Sequence, residues 1–521
     1  MSRRLLLVTT LALAVALPGR ASAQEFRLLE ATIGQVHEAM RAGRLTCRQL
    51  VQGYLDRIAA YDQRGPHLNT IQHLNERALE EADSLDALFR AHGPVGPLHC
   101  VPVLVKDQVE TRDLPTSFGS VLFADFMPGR DATIVARMRE AGAIILAKTT
   151  MGEFASRYVG SAFGIIRNAY DPDRNPSGSS GGTASGVAAN FGLVGIGEDT
   201  SGSIRGPSAV SSLVGLRPTL QLVSRFGLLP ASPSQDTMGP MARTVTDAAI
   251  LLDVIAGYDP EDAMTSYAVG RRPESYADGL SRAGLRGARI GVLRHPMDRN
   301  ADPGSEDFGK VKTVVDGAIE EMASLGAEIV DPIELPGLDS LVSVAIDNDF
   351  ETEAATDAYL AEHPNAPYKT LGAILLSGKV NPWRARSLMA AMGKTTDDAG
   401  YLALLKARET LRQVVLKVMA DNKLDAIAYP TFTNQPTLIA PDVLTNPAPA
   451  DGYGLGDNRG LSPATGFPAL TVPAGFTSDV LPVGLELLGR PFTERTLLDL
   501  AYAFEQGTHH RRPPPTTPPV R

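Results

Sequence analysis

The sequence predicts an α/β fold in one large domain, with a block of helices inserted over the core. Three observations carry that expectation. Apolar runs of strand length alternate with segments of helical periodicity along most of the chain. No long linker divides the 521 residues, and no internal repeat recurs. Residues 338–422 depart from the alternation and read as mostly helix. Hydrophobic residues make up 43% and charged residues 21%, enough apolar surface to build a large core. The expected organisation is a signal peptide over 1–23, a single domain over 24–510 with 338–422 as its variable, mainly helical region, and a Pro-rich, frayed tail over 511–521.

Taken in order, the chain opens with Arg3 and Arg4, an apolar run from Leu5 to Leu17, and the small-residue site Ala21-Ser22-Ala23. This is the pattern of a secretory signal peptide. The run is shorter than the ~20 residues a membrane span needs. The expectation is an exported, periplasmic or secreted protein with no stable membrane insertion after cleavage. Its SRRLLL start lacks the Phe and Lys of a twin-arginine leader, and the export route stays open. Residues 32–60 carry helical spacing broken at Gly43. VPVLVK is a buried strand ending at Lys106, and DATIVARMREAGAIILAKTTM is a helix followed by a strand. TVTDAAILLDVIAGYD reads as helix, ARIGVLR as strand, and 309–325 as helix before AEIVDPIEL. LDAIAYPT and PALTVPAGF return to strand.

The net charge of −10 and pI near 5.5 argue against nucleic acid and anionic membrane surfaces as partners. The two cysteines, Cys47 and Cys100, make neither a disulfide framework nor a zinc set. An oxidising compartment would allow one bridge between them; the sequence reading favours two buried free thiols.

The segment NPSGSSGGTASGVAANFGLVGIGEDTSGSIRGPS, residues 175–208, is rich in glycine and serine yet also holds Glu198, Asp199 and Arg205. A flexible linker needs no such charges. Glycines let backbone N–H groups converge on one spot and stabilise an oxyanion, and serines supply hydroxyl nucleophiles or relays. A phosphate-binding P-loop is excluded because no Gly-Lys-Ser/Thr follows, and Ser203 does not sit in a G-x-S-x-G elbow. A serine nucleophile needs a base. The nine histidines offer no partner motif, whereas a buried lysine disfavours its ammonium form and can serve. Lys106, at the end of VPVLVK, is the candidate; the alternative is a strand-end lysine reaching out to water.

Several separated motifs then occur in one order: LHCVPVLVKD, GSSGG, GEDTSGSIRGPSAVSSLVGLRPT, GLLPASPSQDTMGPMART, YPTFTNQP, ATGFPALTVPAGF and LPVGLELLGRPFTERTLLDLAYAFEQ. With these the sequence resembles the amidase signature family over nearly all of the chain after residue 23, most weakly over 338–422. The resemblance implies a central mixed, twisted β-sheet covered by helices on both faces, with 338–422 as a cap on the substrate side. It implies a Ser–cis-Ser–Lys triad of Lys106, Ser179 and Ser203, with a cis peptide between Gly178 and Ser179. Ser179 and Ser203 stand 24 residues apart, the family's spacing. The implied oxyanion donors are the backbone N–H groups of Thr200, Ser201, Gly202 and Ser203. Asp199 and Arg205 would shape the loop, with Ser180 and Asp107 as structural neighbours, and Lys148 would be structural too. His509 and His510 are expected in solvent. The chain departs from the family pattern at Ser201, Ser177 and Cys100, each standing where glycine is usual; Ser201 is expected to narrow the approach to the oxyanion hole.

The implied activity is hydrolysis of linear amides through an acyl-enzyme on Ser203, with a Lys106–Ser179 proton relay and no cofactor or metal. Candidate substrates are small amides: peptide C-terminal amides, aryl or fatty acyl amides, and anilides. The alternatives are a carbamate, urethane or ester hydrolase on the same triad, a catalytically inactive binding protein, and the A-type component of a glutamyl-tRNA amidotransferase. The signal peptide and the acidic charge count against the last.

Overall fold

A computed structural model describes residues 26–347 and 349–520; the expected signal peptide lies outside the described residues. The strands are β1 (Ile71–Leu74), β2 (Pro102–Lys106), β3 (Ile144–Thr149), β4 (Val159–Gly160), β5 (Gly164–Ile165), β6 (Val194–Asp199) and β7 (Val214–Arg217). They continue with β8 (Thr237–Ala242), β9 (Arg289–Leu293), β10 (Glu328–Ile333), β11 (Ala426–Pro430), β12 (Ala469–Phe476) and β13 (Pro482–Leu488). Apart from the β4–β5 hairpin they form one sheet in the order β1-β3-β2-β6-β8-β7-β12-β13-β11-β9-β10. Pairing is parallel for β3-β2-β6 and for β11-β9-β10, and antiparallel elsewhere. The sheet is therefore mixed, and helices flank it, as the family resemblance implies.

The strands that carry the site are β2 and β6. They run parallel, with Val103 opposite Val194 and Val105 opposite Ile196, so their carboxyl ends emerge on the same edge. Every residue of both is buried. That suits VPVLV, an unbroken apolar run of the kind covered on both faces. In α/β sheets ligands bind outside the carboxyl ends of such strands.

The helices begin where local chemistry starts them. Helices Ile33–Arg41 and Cys47–Tyr61 each open on a capping box, with Thr32 paired to Gln35 and Thr46 to Gln49. Between them Gly43 adopts φ +66°, the left-handed turn that the sequence break anticipates. The Gly/Ser segment, to which the sequence reading assigned neither helix nor strand, contains helix Gly181–Ala188 and strand β6. Its small residues permit close packing. A Cβ on Gly182 would lie 2.2 Å from Thr150 O, and one on Gly195 2.4 Å from Thr183 Cγ2. Hydrophobic periodicity cannot reveal a helix built from residues that have almost no side chain.

Residues 338–422 contain helices Leu338–Ala345, Asp349–Ala361, Leu371–Leu376, Pro382–Ala391 and Ala399–Asp421. They divide between two apolar clusters. Leu338, Val342, Leu411 and Val415 pack on the sheet beside Leu293 and Tyr429. Tyr359, Leu360, Ile374 and Leu388 pack on the phenylalanines 118, 123, 126 and 154. Among the described residues no helix is long and apolar enough to cross a membrane.

Two sequence expectations need correction. Cys47 and Cys100 are not free thiols but a disulfide, with Cα atoms 5.5 Å apart. Cys47 begins a helix and Cys100 precedes β2 at φ +62°, a left-handed position that accounts for the family's glycine there. The Pro-rich tail is not frayed. Pro514 and Thr517 are buried, Arg57 donates to Thr517 O at 2.7 Å and to Pro518 O at 2.9 Å, and Arg511 pairs with Glu30 at 2.8 Å. His510 is half-buried against Glu321 at 2.6 Å, whereas His509 is exposed. Proline-rich composition hid this docking because the tail is held through its carbonyls, which every residue has.

Candidate active site

Lys106 ends β2 with its side chain fully buried. Its Nζ donates to Ser179 Oγ at 2.8 Å, to Glu198 Oε2 at 2.6 Å and to the Glu198 carbonyl at 3.2 Å. The expected alternative, a lysine reaching to water, is not what the fold builds. The Gly178–Ser179 peptide bond is cis. A Cβ on Gly178 would fall 1.7 Å from Arg157 O, so only glycine fits ahead of Ser179. Ser179 is further held by its carbonyl, which accepts from Gly152 N–H at 3.0 Å. Ser180 ties the same turn to β6: its hydroxyl donates to Glu198 O at 3.1 Å and accepts from Glu198 N–H at 3.3 Å.

Ser203 precedes the short helix Arg205–Ala209 and is 8% exposed, against 1% for Ser179. Both serines line one cavity of about 460 Å³. Among the described residues no hydrogen bond joins Ser203 Oγ to Ser179 Oγ. The structure thus brings Lys106 and Ser179 into contact and sets Ser203 in the same cavity.

The loop between Asp199 and Arg205 is held from beneath. Asp199 Oδ1 accepts from Gly202 N–H at 2.7 Å, and Oδ2 from Ile204 N–H at 3.1 Å. Arg205 and Arg217 reach the same carboxylate at 3.2 Å and 3.1 Å, and Arg205 also pairs with Glu486. All four side chains are fully buried. Burial by itself would raise the Asp199 carboxyl; the two guanidiniums overcome it and hold the group well below the usual carboxylate range. Burial likewise works against the Arg205 cation, and Asp199 and Glu486 outweigh it. One oxyanion expectation changes here: the Gly202 N–H is committed to Asp199, closing the loop. Ser201 stays exposed and lines the cavity beside Ser203.

Lys148 stands apart from this cavity. It donates to Thr116 Oγ1 at 2.7 Å and Pro115 O at 3.2 Å, with Asp107 Oδ1 at 3.5 Å. Burial pushes its ammonium down to about 8, against the pull of Asp107. Asp107 in turn accepts from Ser117 N–H at 3.0 Å, so both organise the loop after β2.

The same cavity is also lined by Arg157, Asp298, Arg299, Asp339, Asp457 and Arg459, with Val342 from helix Leu338–Ala345 and Ile346 just after it. Arg459 pairs with Asp457 at 2.6 Å and donates to Gly202 O at 2.8 Å. Arg157 pairs with Asp451 and lies over the rings of Tyr453, at 4.6 Å, and Trp383, at 4.9 Å. Sequence reading missed this wall, and it missed Glu198 as the partner of Lys106. Nothing in the linear pattern marks a contact between residues 92 positions apart. Among the described residues no group of three or more His, Cys, Asp or Glu side chains is placed to hold a metal ion.

A family model described as Amidase matches residues 49–498. The chain belongs to the amidase family. Its amidase signature fold, the large mixed sheet flanked by helices, is shared with the solved peptide amidase of Stenotrophomonas maltophilia. That likeness has a TM-score of 0.82 at 35% identity and covers 93% of this chain and 98% of the other. A probable amidase of Arabidopsis thaliana is 34% identical over 518 residues, 94% of this chain and 92% of that protein. The A-type component of the glutamyl-tRNA(Gln) amidotransferase of Moorella thermoacetica is 34% identical over 517 residues, 93% and 98% of the two chains. This amidase is therefore an amidase signature hydrolase, and its relatives differ in what their names say they act on.

Proposed function

We propose that this amidase is an exported serine hydrolase that cleaves linear amides to a carboxylate and an amine or ammonia through an acyl-enzyme on Ser203. The observation that carries the reading is Lys106 Nζ at 2.8 Å from Ser179 Oγ, on the wall of the cavity that Ser203 also lines. A neutral Lys106 amine accepts the Ser179 proton, Ser179 accepts that of Ser203, and Ser203 Oγ attacks the amide carbonyl. Backbone N–H groups at Thr200, Ser201 and Ser203 stabilise the oxyanion, with the loop held in shape by Asp199 and Arg205. Ser179 returns a proton to the departing amine, and water releases the acyl group by the reverse relay.

The substrate reading is a polar, peptide-like amide. A cavity walled by Arg157, Asp298, Arg299, Asp339, Asp457 and Arg459 suits a hydrogen-bonding chain better than a fatty one. The likeness to a peptide amidase points the same way. Export is supported by the N-terminal leader pattern and by the Cys47–Cys100 disulfide, a bond that persists in oxidising compartments. The test is to offer the purified protein peptide C-terminal amides, fatty acyl amides, anilides, carbamates and esters, with mass detection of the released amine. Peptide amides should be turned over fastest, with no tRNA or second protein present. Turnover of fatty acyl amides or carbamates alone would reject the substrate class. No hydrolysis of any member of the panel would reject the hydrolase reading.

A further inference from the structure

The relay contains an acid that the triad does not account for. Glu198 Oε2 lies 2.6 Å from Lys106 Nζ, and both side chains are fully buried. The other oxygen, Oε1, accepts from Thr200 Oγ1 at 2.7 Å, so the carboxyl group is held at both ends. Its backbone is fixed as well, by Ser180 and by the pairing of Glu198 with Met238 of β8.

The charges around it are countable. Lys106 comes from β2, Asp199 and Arg205 follow Glu198 in the chain, Arg217 comes from β7, and Asp236 precedes β8. Arg205 and Arg217 are taken up by Asp199 and Glu486. Asp236 Oδ2 accepts the N–H groups of Ala231 and Ser232, both at 2.8 Å. Burial, then the neighbouring Glu198, push the Asp236 carboxyl up to about 8. Glu198, at 2.6 Å, is the carboxylate in direct contact with Lys106, whereas Asp236 is engaged by backbone N–H groups.

We propose that Glu198 is a positioning residue that acts on the nucleophile through Lys106, taking up the ammonium proton so that the amine becomes the base for Ser179 without losing a proton to solvent. The idea rests on the triad reading above. In the first step an N–H bond of the ammonium breaks and an O–H bond forms on Glu198, and the pair stays neutral overall. In the second the free amine takes the Ser179 proton and Ser179 takes that of Ser203, whose oxygen forms the new bond to the acyl carbon. The proton on Glu198 returns when the relay runs backward. A dry site favours this exchange, because it replaces two buried charges by none.

The consequence is a distinctive pH profile. An internal transfer does not change the number of protons the pair holds, so its extent is independent of pH while that number stays at one. The experiment reads the second-order rate at which an alkyl fluorophosphonate labels Ser203, followed by intact mass. This reagent needs no protonated leaving amine and no knowledge of the substrate. The wild-type rate should be level from about pH 6 to about pH 9. In Glu198→Gln the carboxamide still accepts from the ammonium but cannot take its proton. The rate should fall at least about tenfold at pH 7 and climb about tenfold per pH unit, as an amine that must deprotonate to solvent requires. Glu198→Asp, which keeps a carboxylate, should restore a level profile. A wild-type rate that itself climbs tenfold per unit overturns the proposal, even if neither variant folds. So does a Glu198→Gln protein that is slowed equally at every pH, or not at all. Wild-type protein that never labels overturns the nucleophile on which the proposal stands, a failure distinct from the other two.

Discussion

At the scale of single residues, Ser203, Ser179 and Lys106 make different demands on the chemistry. Ser203→Ala should lower turnover at least about a thousandfold, as removal of a serine nucleophile does. Its thermal midpoint should stay at the wild-type value, since the lost hydroxyl lines a cavity and holds no partner among the described residues. Near-wild-type turnover would remove Ser203 from the reaction. Ser179→Ala should cost about 10²- to 10⁴-fold, the range of a lost proton carrier. Lys106→Ala should cost amides more than activated esters, because an amine leaves only when protonated. An unchanged ratio of amide to ester rates in that variant would make Lys106 a structural residue. The three were legible in the sequence because each sits in a contiguous motif: VLVKD, GSSGG and SGSIR. Glu198, Arg157 and Arg459 were not, because their meaning lies in contacts with distant residues.

At the scale of elements, helical spacing and unbroken apolar runs located most helices and strands, while β6 and the helix before it stayed hidden by their glycines. Helix packing also withdraws a carboxyl from the water that would stabilise its charge. Glu505, on helix Glu494–Thr508, accepts from Val245 N–H at 2.8 Å, at the start of helix Val245–Ile255. Burial pushes this carboxyl up to about 7 despite that bond. The folded protein therefore holds a proton that the unfolded chain releases near its ordinary value, and stability falls as pH rises from about 4.5 to about 7. Neighbouring Asp247, raised to about 6 by burial, adds to the same slope. Glu505→Gln removes one titrating group, so the loss in thermal midpoint between pH 5 and pH 8 should be shallower than in the wild type. An identical slope in the two proteins would mean that Glu505 titrates normally. The measurement is a set of unfolding curves at fixed ionic strength across that range.

At the scale of the whole molecule, one covalent tie joins the N-terminal helices to the strand that carries Lys106. Cys47 and Cys100 close a loop across a separation of 53 residues. Cutting it with Cys47→Ala should destabilise the fold by about 2–4 kcal/mol, since the unfolded chain regains the freedom that the loop denied it. Activity per folded molecule at low temperature should stay within about twofold, because the bond lies at the opposite end of β2 from Lys106. A midpoint unaffected by the substitution, or by reductant, would show that the bond does not form in solution. What the sequence by itself determined were the alternation that makes an α/β sheet, the helical character of 338–422, and the motif residues Lys106, Ser179 and Ser203. Those properties follow from neighbours within a few positions, where the 2- and 3.6-residue periods and short motifs act. Tertiary structure alone decided the Lys106–Glu198 pair, the disulfide, the charged side chains that line the serines' cavity and the docking of the C-terminal tail. Each of these joins groups far apart in the chain, and which distant groups meet is settled only when β2 and β6 lie side by side and the helices close over them.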